Sequence, residues 1–180
     1  MSGLPSFPAG PGPAPATPAY LSERGFALRH AVDADLPRLL QLYADTRADE
    51  LAGVPWPPDF KQTFLDQQFQ FQHRHFLAEH PTADFLVIER EGRIEGRYYL
   101  LRDAPEHHIV DICLISAHRG RGLGRALIEA SQQEARAQGR GMALQVLVNN
   151  VGARRLYERL GFGAVAEAST DSHLFMRWPG

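Results

Sequence analysis

Six consecutive residues, Arg119-Gly120-Arg121-Gly122-Leu123-Gly124, stand directly before the helical run "RALIEASQQEARA". A strand, a glycine loop and a helix start together make an anion cradle. The first N–H groups of a helix point outward without intrahelical partners, the helix dipole favours negative charge there, and glycine lets a ligand approach the backbone. Two familiar forms of this cradle fail on the residues. A nucleoside-triphosphate loop ends in Gly-Lys-Ser/Thr, whereas Gly124-Arg125-Ala126 stands here. A dinucleotide fingerprint needs G-x-G-x-x-G, but the spacing from Gly120 is G-x-G-x-G and position 125 is arginine. The loop also comes late in the chain instead of opening a first strand-helix-strand unit. Other reactive side chains are sparse. Cys113 is the only cysteine, which excludes a disulfide framework and a cysteine-rich metal site. His73 and His75 precede His80, but their helical spacing puts the first two on different faces, so no metal is expected.

The elements that must position the loop follow from periodicity. "FALRHA" (Phe26 to Ala31) is a short strand. A helix then places Leu36, Leu39, Leu40 and Tyr43 at helical spacing, with Asp33 or Asp35 as cap and Pro37 tolerated in the first turn. "GVPWPP" breaks the chain, since each proline disfavours helix in the residue before it. A second helix carries Phe60, Phe64 and Phe71 on one flank and Leu65, Phe69 and Phe76 on another. Asp84 to Arg102 reads as a hairpin turning at Glu91-Gly92. "HHIVDICLIS" is a third consecutive strand after the two of the hairpin, and its unbroken apolar stretch suits a central place. After the glycine loop come a helix closed by Gly139, the strand "MALQVLV", and a short helix with Gly161 as its left-handed stop. "GFGAVAE" and "HLFMRW" are the last strands. The order predicts an α/β fold with a mixed sheet, antiparallel strands first and a strand-helix-strand crossover later.

The 180 residues suit one domain, 21–180, after a tail, 1–20, rich in Pro, Ala and Gly. That tail buries too little apolar surface to fold alone and is expected to be disordered. A net charge of -2 gives no reason to expect nucleic acid. The lone cysteine and the lack of a long apolar run point to a cytoplasmic protein without a membrane partner. Lys61 is the only lysine beside many arginines, which reads as codon bias.

The hexapeptide resembles the R/Q-x-x-G-x-G/A signature of the GNAT superfamily of N-acetyltransferases. A second block, "NNVGARRLYERLGF", resembles that family's downstream pattern through Asn150, Ala153, Leu156, Tyr157, Glu158, Gly161 and Phe162. The resemblance implies a largely antiparallel mixed sheet flanked by helices, splayed between its fourth and fifth strands. It implies acetyl-CoA as co-substrate, its pyrophosphate wrapped by Arg119, Gly120, Arg121, Gly122, Leu123, Gly124 and Arg125. Its pantetheine arm would lie along Ile112 and Leu114, with Asn150 near the splay. Tyr157 matches a tyrosine that protonates the leaving thiolate. Some relatives place a glutamate base where Gln145 stands, a departure from one subtype. Others place it at His108, where a histidine can serve. Asp111 is the alternative carboxylate, and strand alternation points it away from His108 unless a bulge changes the phase. The implied activity is transfer of an acetyl group to the primary amine of a small molecule or peptide. The alternative is a CoA-binding sensor or interaction module. A homodimer is common among such folds, and no interface is identified here.

Overall fold

The computed structural model describes residues 3–103 and 105–180, without the side chain of Asp49. Met1 and Ser2 of the expected tail lie outside the described residues. A seven-stranded sheet runs in the order β1-β2-β3-β4-β5-β7-β6. Its strands are β1 (Phe26–His30), β2 (Asp84–Arg90), β3 (Arg93–Leu101), β4 (His107–Leu114), β5 (Met142–Leu147), β6 (Gly163–Ala164) and β7 (His173–Trp178). Only β4 and β5 pair in parallel, as a crossover through a helix requires. The turn between β2 and β3 has positive φ at both Glu91 and Gly92, 51° and 73°, the twist that closes a tight hairpin.

Helices cover both faces. On one, α4 (Leu123–Ala137) and α5 (Val151–Arg159) bring Leu123, Leu127, Ile128 and Tyr157 onto Leu86, Ile88, Tyr98, Leu100 and Ile109 of the sheet. On the other, α2 (Leu36–Ala52) and α3 (Pro58–Glu79) bring Leu39, Leu42, Leu65 and Phe69 onto Phe85, Val87 and Tyr99. Each fully buried side chain of this size contributes about 1.5–3 kcal/mol, so the alternation of β2 and β3 between the faces fixes their register. Of the two aromatic flanks of α3, the core takes Leu65 and Phe69 and leaves Phe60 and Phe71 more than half exposed. The expected strand from Gly161 onward shrinks to Gly163–Ala164, followed by a single 3-10 turn, Ala166–Ala168. Its small residues bury little surface with which to hold a longer ladder.

The described part of the proline-rich segment has one short helix, α1 (Ala19–Ser22), and otherwise no regular structure. It lies against the domain nonetheless. Phe7 packs edge-on to His73 and near Phe85, with centroids at 4.9 and 5.7 Å, and its backbone N–H donates to Asp33 at 2.9 Å. His73 Nε2 donates to the carbonyl of Pro5 at 2.8 Å. Gly10 lies on the His30 ring with no room for a Cβ. Thr17 Oγ1 accepts from the backbone N–H of Leu28 in β1 at 2.9 Å, which covers one donor of an edge strand. The segment does not need a core of its own, because the domain supplies one.

Candidate functional site

The glycine loop leaves β4 through a 3-10 turn, Ser116–His118, and enters α4. Gly120 and Gly122 have φ of 69° and 81°, in the left-handed region where a side chain is strained. At Gly122 a Cβ would also meet the hydroxyl of Tyr20 at 3.0 Å. That hydroxyl donates to the carbonyl of Arg121 at 2.8 Å, so α1 braces the loop from a distant part of the chain. No side chain caps the start of α4. The first-turn N–H groups are therefore available to an anion. Leu123 is buried and anchors the turn. The Nε of Arg119 donates to the carbonyl of Leu114 at 2.8 Å, tying the loop to the end of β4. Arg125 pairs with Glu129 at 2.8 Å on the exposed side of α4.

The loop opens onto a cleft between two strands. β4 and β5 are paired only from His107–Met142 to Ile109–Leu144. Past that point β4 continues through Ile112 and Leu114, and β5 through Gln145 to Leu147, with no pairing between them. Ile112 and Leu114 remain partly exposed while packing on the core. Leu147, Val148 and Val151 expose 39, 38 and 41% of their surface on the β5 side. The run into α5 thus offers apolar contact to an extended ligand. Asn150 caps α5, its Oδ1 accepting from the N–H of Ala153 at 3.2 Å.

The expectation that His108 and Asp111 face opposite sides is corrected by the register. Asp111 opposes Tyr99, but Leu100 opposes Ile109 and Leu101 opposes His108. Val110 is an extra residue in β4, and this bulge changes the phase of the strand. Because Tyr99 and Leu101 share a face, His108 and Asp111 share it too, the face covered by α2 and α3. Gln145 joins them across the cleft, since it stands two residues beyond Ala143, the partner of His108.

The two side chains have different surroundings. Asp111 accepts from Arg97 Nε at 2.6 Å, and the Arg97 Nη2 donates to Gln72 at 2.6 Å. Burial of the Arg97 guanidinium works against its charge, but Asp111 and its other neighbours outweigh that and raise its pKa. Asp111 is therefore the counter-ion of a buried cation. His108 makes no ion pair among the described residues. Its ring stacks between His80 and Phe175, at centroid distances of 6.0 and 6.4 Å. Burial, then His80, lower its pKa against the weaker opposing charge of Glu106, so the imidazole is neutral at neutral pH and has a lone pair to offer. Cys113 faces the same side as Arg97, its register partner. Burial pushes its thiol up to about 11, which leaves no thiolate for nucleophilic work.

Tyr157 approaches from the α4–α5 side. It is 6% exposed and packs on Phe162 at 6.0 Å. Burial, with the negative charge of Asp111 adding to it, pushes its hydroxyl up to about 12. The phenol keeps its proton at neutral pH, and among the described residues that hydroxyl has no hydrogen-bond partner. Tyr157 thus belongs to the α4–α5 face of the sheet, while His108 lies in the last paired stretch of β4 and β5, next to the point where they separate. Tyr20 was missed in the sequence, as its only signal was an aromatic residue at the end of a proline-rich run. Among the described residues no group of three or more His, Cys, Asp or Glu side chains is placed to hold a metal, and no helix is long and apolar enough to cross a membrane.

Comparison with known proteins agrees with this geometry. Residues 36–162 match the acetyltransferase (GNAT) family. An N-alpha-acetyltransferase 40 from Saccharomyces cerevisiae is 36% identical over 99 residues, covering 48% of this chain and 35% of the yeast protein. A ribosomal protein bS18-alanine N-acetyltransferase assigned in Bacillus subtilis is 31% identical over 88 residues, covering 48% of this chain and 58% of its own. The chain thus spans about a third to somewhat over half of these relatives' lengths. Among solved structures, the PaiA N-acetyltransferase of Thermoplasma acidophilum in complex with coenzyme A superposes with a TM-score of 0.65 at 14% identity, covering 86% of this chain and 99% of that one. At that identity the likeness shows the fold.

Proposed function

The chain belongs to the acetyltransferase (GNAT) family, and from that membership and the geometry of the cleft we propose that it moves an acetyl group from acetyl-CoA to a primary amine. The observation that carries the reading is the uncapped start of α4 opening onto an unpaired stretch between β4 and β5. The N–H groups of Gly122, Leu123, Gly124 and Arg125 would hold the pyrophosphate, with the charges of Arg119 and Arg121 beside it. The pantetheine arm would lie between β4 and β5, along Ile112 and Leu114 on one side and Leu147 and Val148 on the other. Asn150 would then act on the cofactor chiefly by fixing the start of α5.

The acceptor amine would enter from the α2–α3 face. His108 takes its proton, directly or through water, because an ammonium has no lone pair for attack. The amine nitrogen bonds to the thioester carbonyl carbon. As the tetrahedral centre collapses, the C–S bond breaks, the thiolate receives the proton of the Tyr157 hydroxyl, and the second proton of the former amine nitrogen passes to water. The imidazolium and the phenolate are restored by exchange with solvent. Asp111 keeps Arg97 in place and adds negative potential on the side where the amine arrives. No acyl-enzyme is needed, and the raised Cys113 thiol is unsuited to one.

Thermal unfolding with and without excess acetyl-CoA tests the donor. A ligand at one hundred times its dissociation constant adds about 2.7 kcal/mol. For a chain of this size that raises the midpoint by roughly 5 to 11 °C. ATP and NADH should leave it unchanged. A rise with ATP or NADH and none with acetyl-CoA would overturn the reading.

A further inference from the structure

A cavity of about 300 Å³ lies beside the glycine loop, bordered by Arg24, Arg90, Arg121 and His118 over the rings of Tyr20 and Phe26. It is built by α1, the ends of β1 and β2, and the loop itself. None of the described residues lining it is acidic, in a chain whose net charge is -2. The arginines here also lack close counter-ions. Arg24 and Arg90 stand 3.9 Å from their nearest carboxylates, the sequence neighbours Glu23 and Glu91. Arg97, Arg102 and Arg177 elsewhere make pairs of 2.6 to 2.8 Å. Two of the guanidinium groups are held by stacking. Arg24 sits 3.7 Å above the Tyr20 ring, with its Nη1 bonded to the Tyr20 carbonyl at 2.9 Å, and Arg90 sits 5.3 Å above Phe26. His118 meets Phe26 edge-on at 5.1 Å. Stacked arginines are planar forks already aimed, and so lose little freedom on binding an anion.

We propose that this cavity is a phosphomonoester site, built from Arg24, Arg90 and Arg121 on the flank of the loop that Tyr20 braces. A phosphomonoester carries about -1.5 to -2 charges at neutral pH and three acceptor oxygens, which suits a cavity lined by three arginines and no acidic residue among those described. Two sources share this chemistry: the terminal phosphate on the ribose of the same CoA molecule, and a free phosphorylated nucleotide bound next to it. The first source rests on the reading of the glycine loop given above, and the second does not. Either way, Arg121 and the Tyr20 bond to its carbonyl connect occupancy of the cavity to the shape of the loop.

Calorimetric titration of the full chain and of an Arg24→Ser/Arg90→Ser variant with CoA, dephospho-CoA and adenosine 3′,5′-bisphosphate tests the site. The two side chains are 47 and 41% exposed, and an unchanged unfolding midpoint checks that the variant is folded. A single Arg90→Glu variant provides the same comparison by charge reversal. If the cavity takes the CoA phosphate, wild type binds CoA about tenfold or more tightly than dephospho-CoA, and the variants bind the two alike. If it takes a free phosphomonoester, the two CoA forms bind alike, while the bisphosphate binds wild type and is lost in the variants. Equal binding of every probe by wild type and variants, or no binding of the bisphosphate together with equal CoA forms, overturns the proposal. Failure of the loop reading is separate, because dephospho-CoA would then not bind wild type at all, and the bisphosphate alone would decide the cavity.

Discussion

Replacing Asp111 with asparagine separates a structural role from a chemical one. The Arg97 guanidinium is 4% exposed and holds Asp111 at 2.6 Å. Asp111→Asn keeps the shape and one acceptor oxygen, but it strips a buried cation of its counter-ion. Removing one member of a buried pair costs about 3–5 kcal/mol. The Asp111 side chain is 22% exposed and Gln72 still accepts from Arg97, so the low end applies, about 3 kcal/mol. At about 2–4 °C per kcal/mol for a chain of this size, the unfolding midpoint should fall by about 6–12 °C. Substituting both ends, Arg97→Met with Asp111→Leu, should recover much of that loss, since an apolar replacement of a buried pair is often neutral. The pH–rate profile should keep its acidic limb, because His108 carries it. Losing the Asp111 charge should also lower the pKa of Tyr157, which burial alone still holds above its ordinary value. An unchanged midpoint in scanning calorimetry would refute the buried-pair argument, and loss of the acidic limb would refute the assignment of the base.

Tyr157→Phe should lower turnover by about 10²–10⁴-fold, the usual worth of a general acid, with acetyl-CoA affinity retained in titration; equal turnover would leave Tyr157 as packing. His108→Gln should remove the acidic limb of kcat/KM, which in wild type lies below pH 6.5 because burial lowers the imidazole. Tyr20→Phe breaks one bond to the loop backbone and should raise KM for acetyl-CoA by about 2- to 12-fold, from roughly 0.5–1.5 kcal/mol, with kcat unchanged; a change confined to kcat would contradict a bracing role. Burial lowers the pKa of His73, His80, His107 and His108 alike. A group depressed in the folded state gives protection above its unfolded value and loses it as pH falls towards the folded one. Melting midpoints should therefore drop as pH falls below about 6.5, and a midpoint that rises there would contradict these burials.

The parts of the site that rest on local chemistry were legible in the sequence. The glycine loop, the helix stop at Gly161 with φ of 85° and the turn at Glu91-Gly92 each depend on a few adjacent residues. The face of Asp111 was not legible, because alternation is counted along one strand while the bulge at Val110 arises between β3 and β4. Arg97 was invisible for the same reason: its pairing with Asp111 crosses strands, and an arginine in a hairpin reads as exposed. The aromatic flanks of α3 were recognised as two, but only the docked sheet decides that Leu65 and Phe69 go inward and Phe60 stays out. Tyr20 and Phe7 were lost in a run whose composition speaks only of its inability to fold alone, not of what it lies against.

Mass analysis of a panel of primary amines incubated with acetyl-CoA and the full chain tests whether this cleft transfers an acetyl group. Amine-dependent release of CoA is expected, with the acetyl group found on the amine nitrogen and the rate falling sharply in Tyr157→Phe. Tight binding of acetyl-CoA with no acetylated amine from peptides or small molecules, and release of CoA no faster than in buffer, would contradict it.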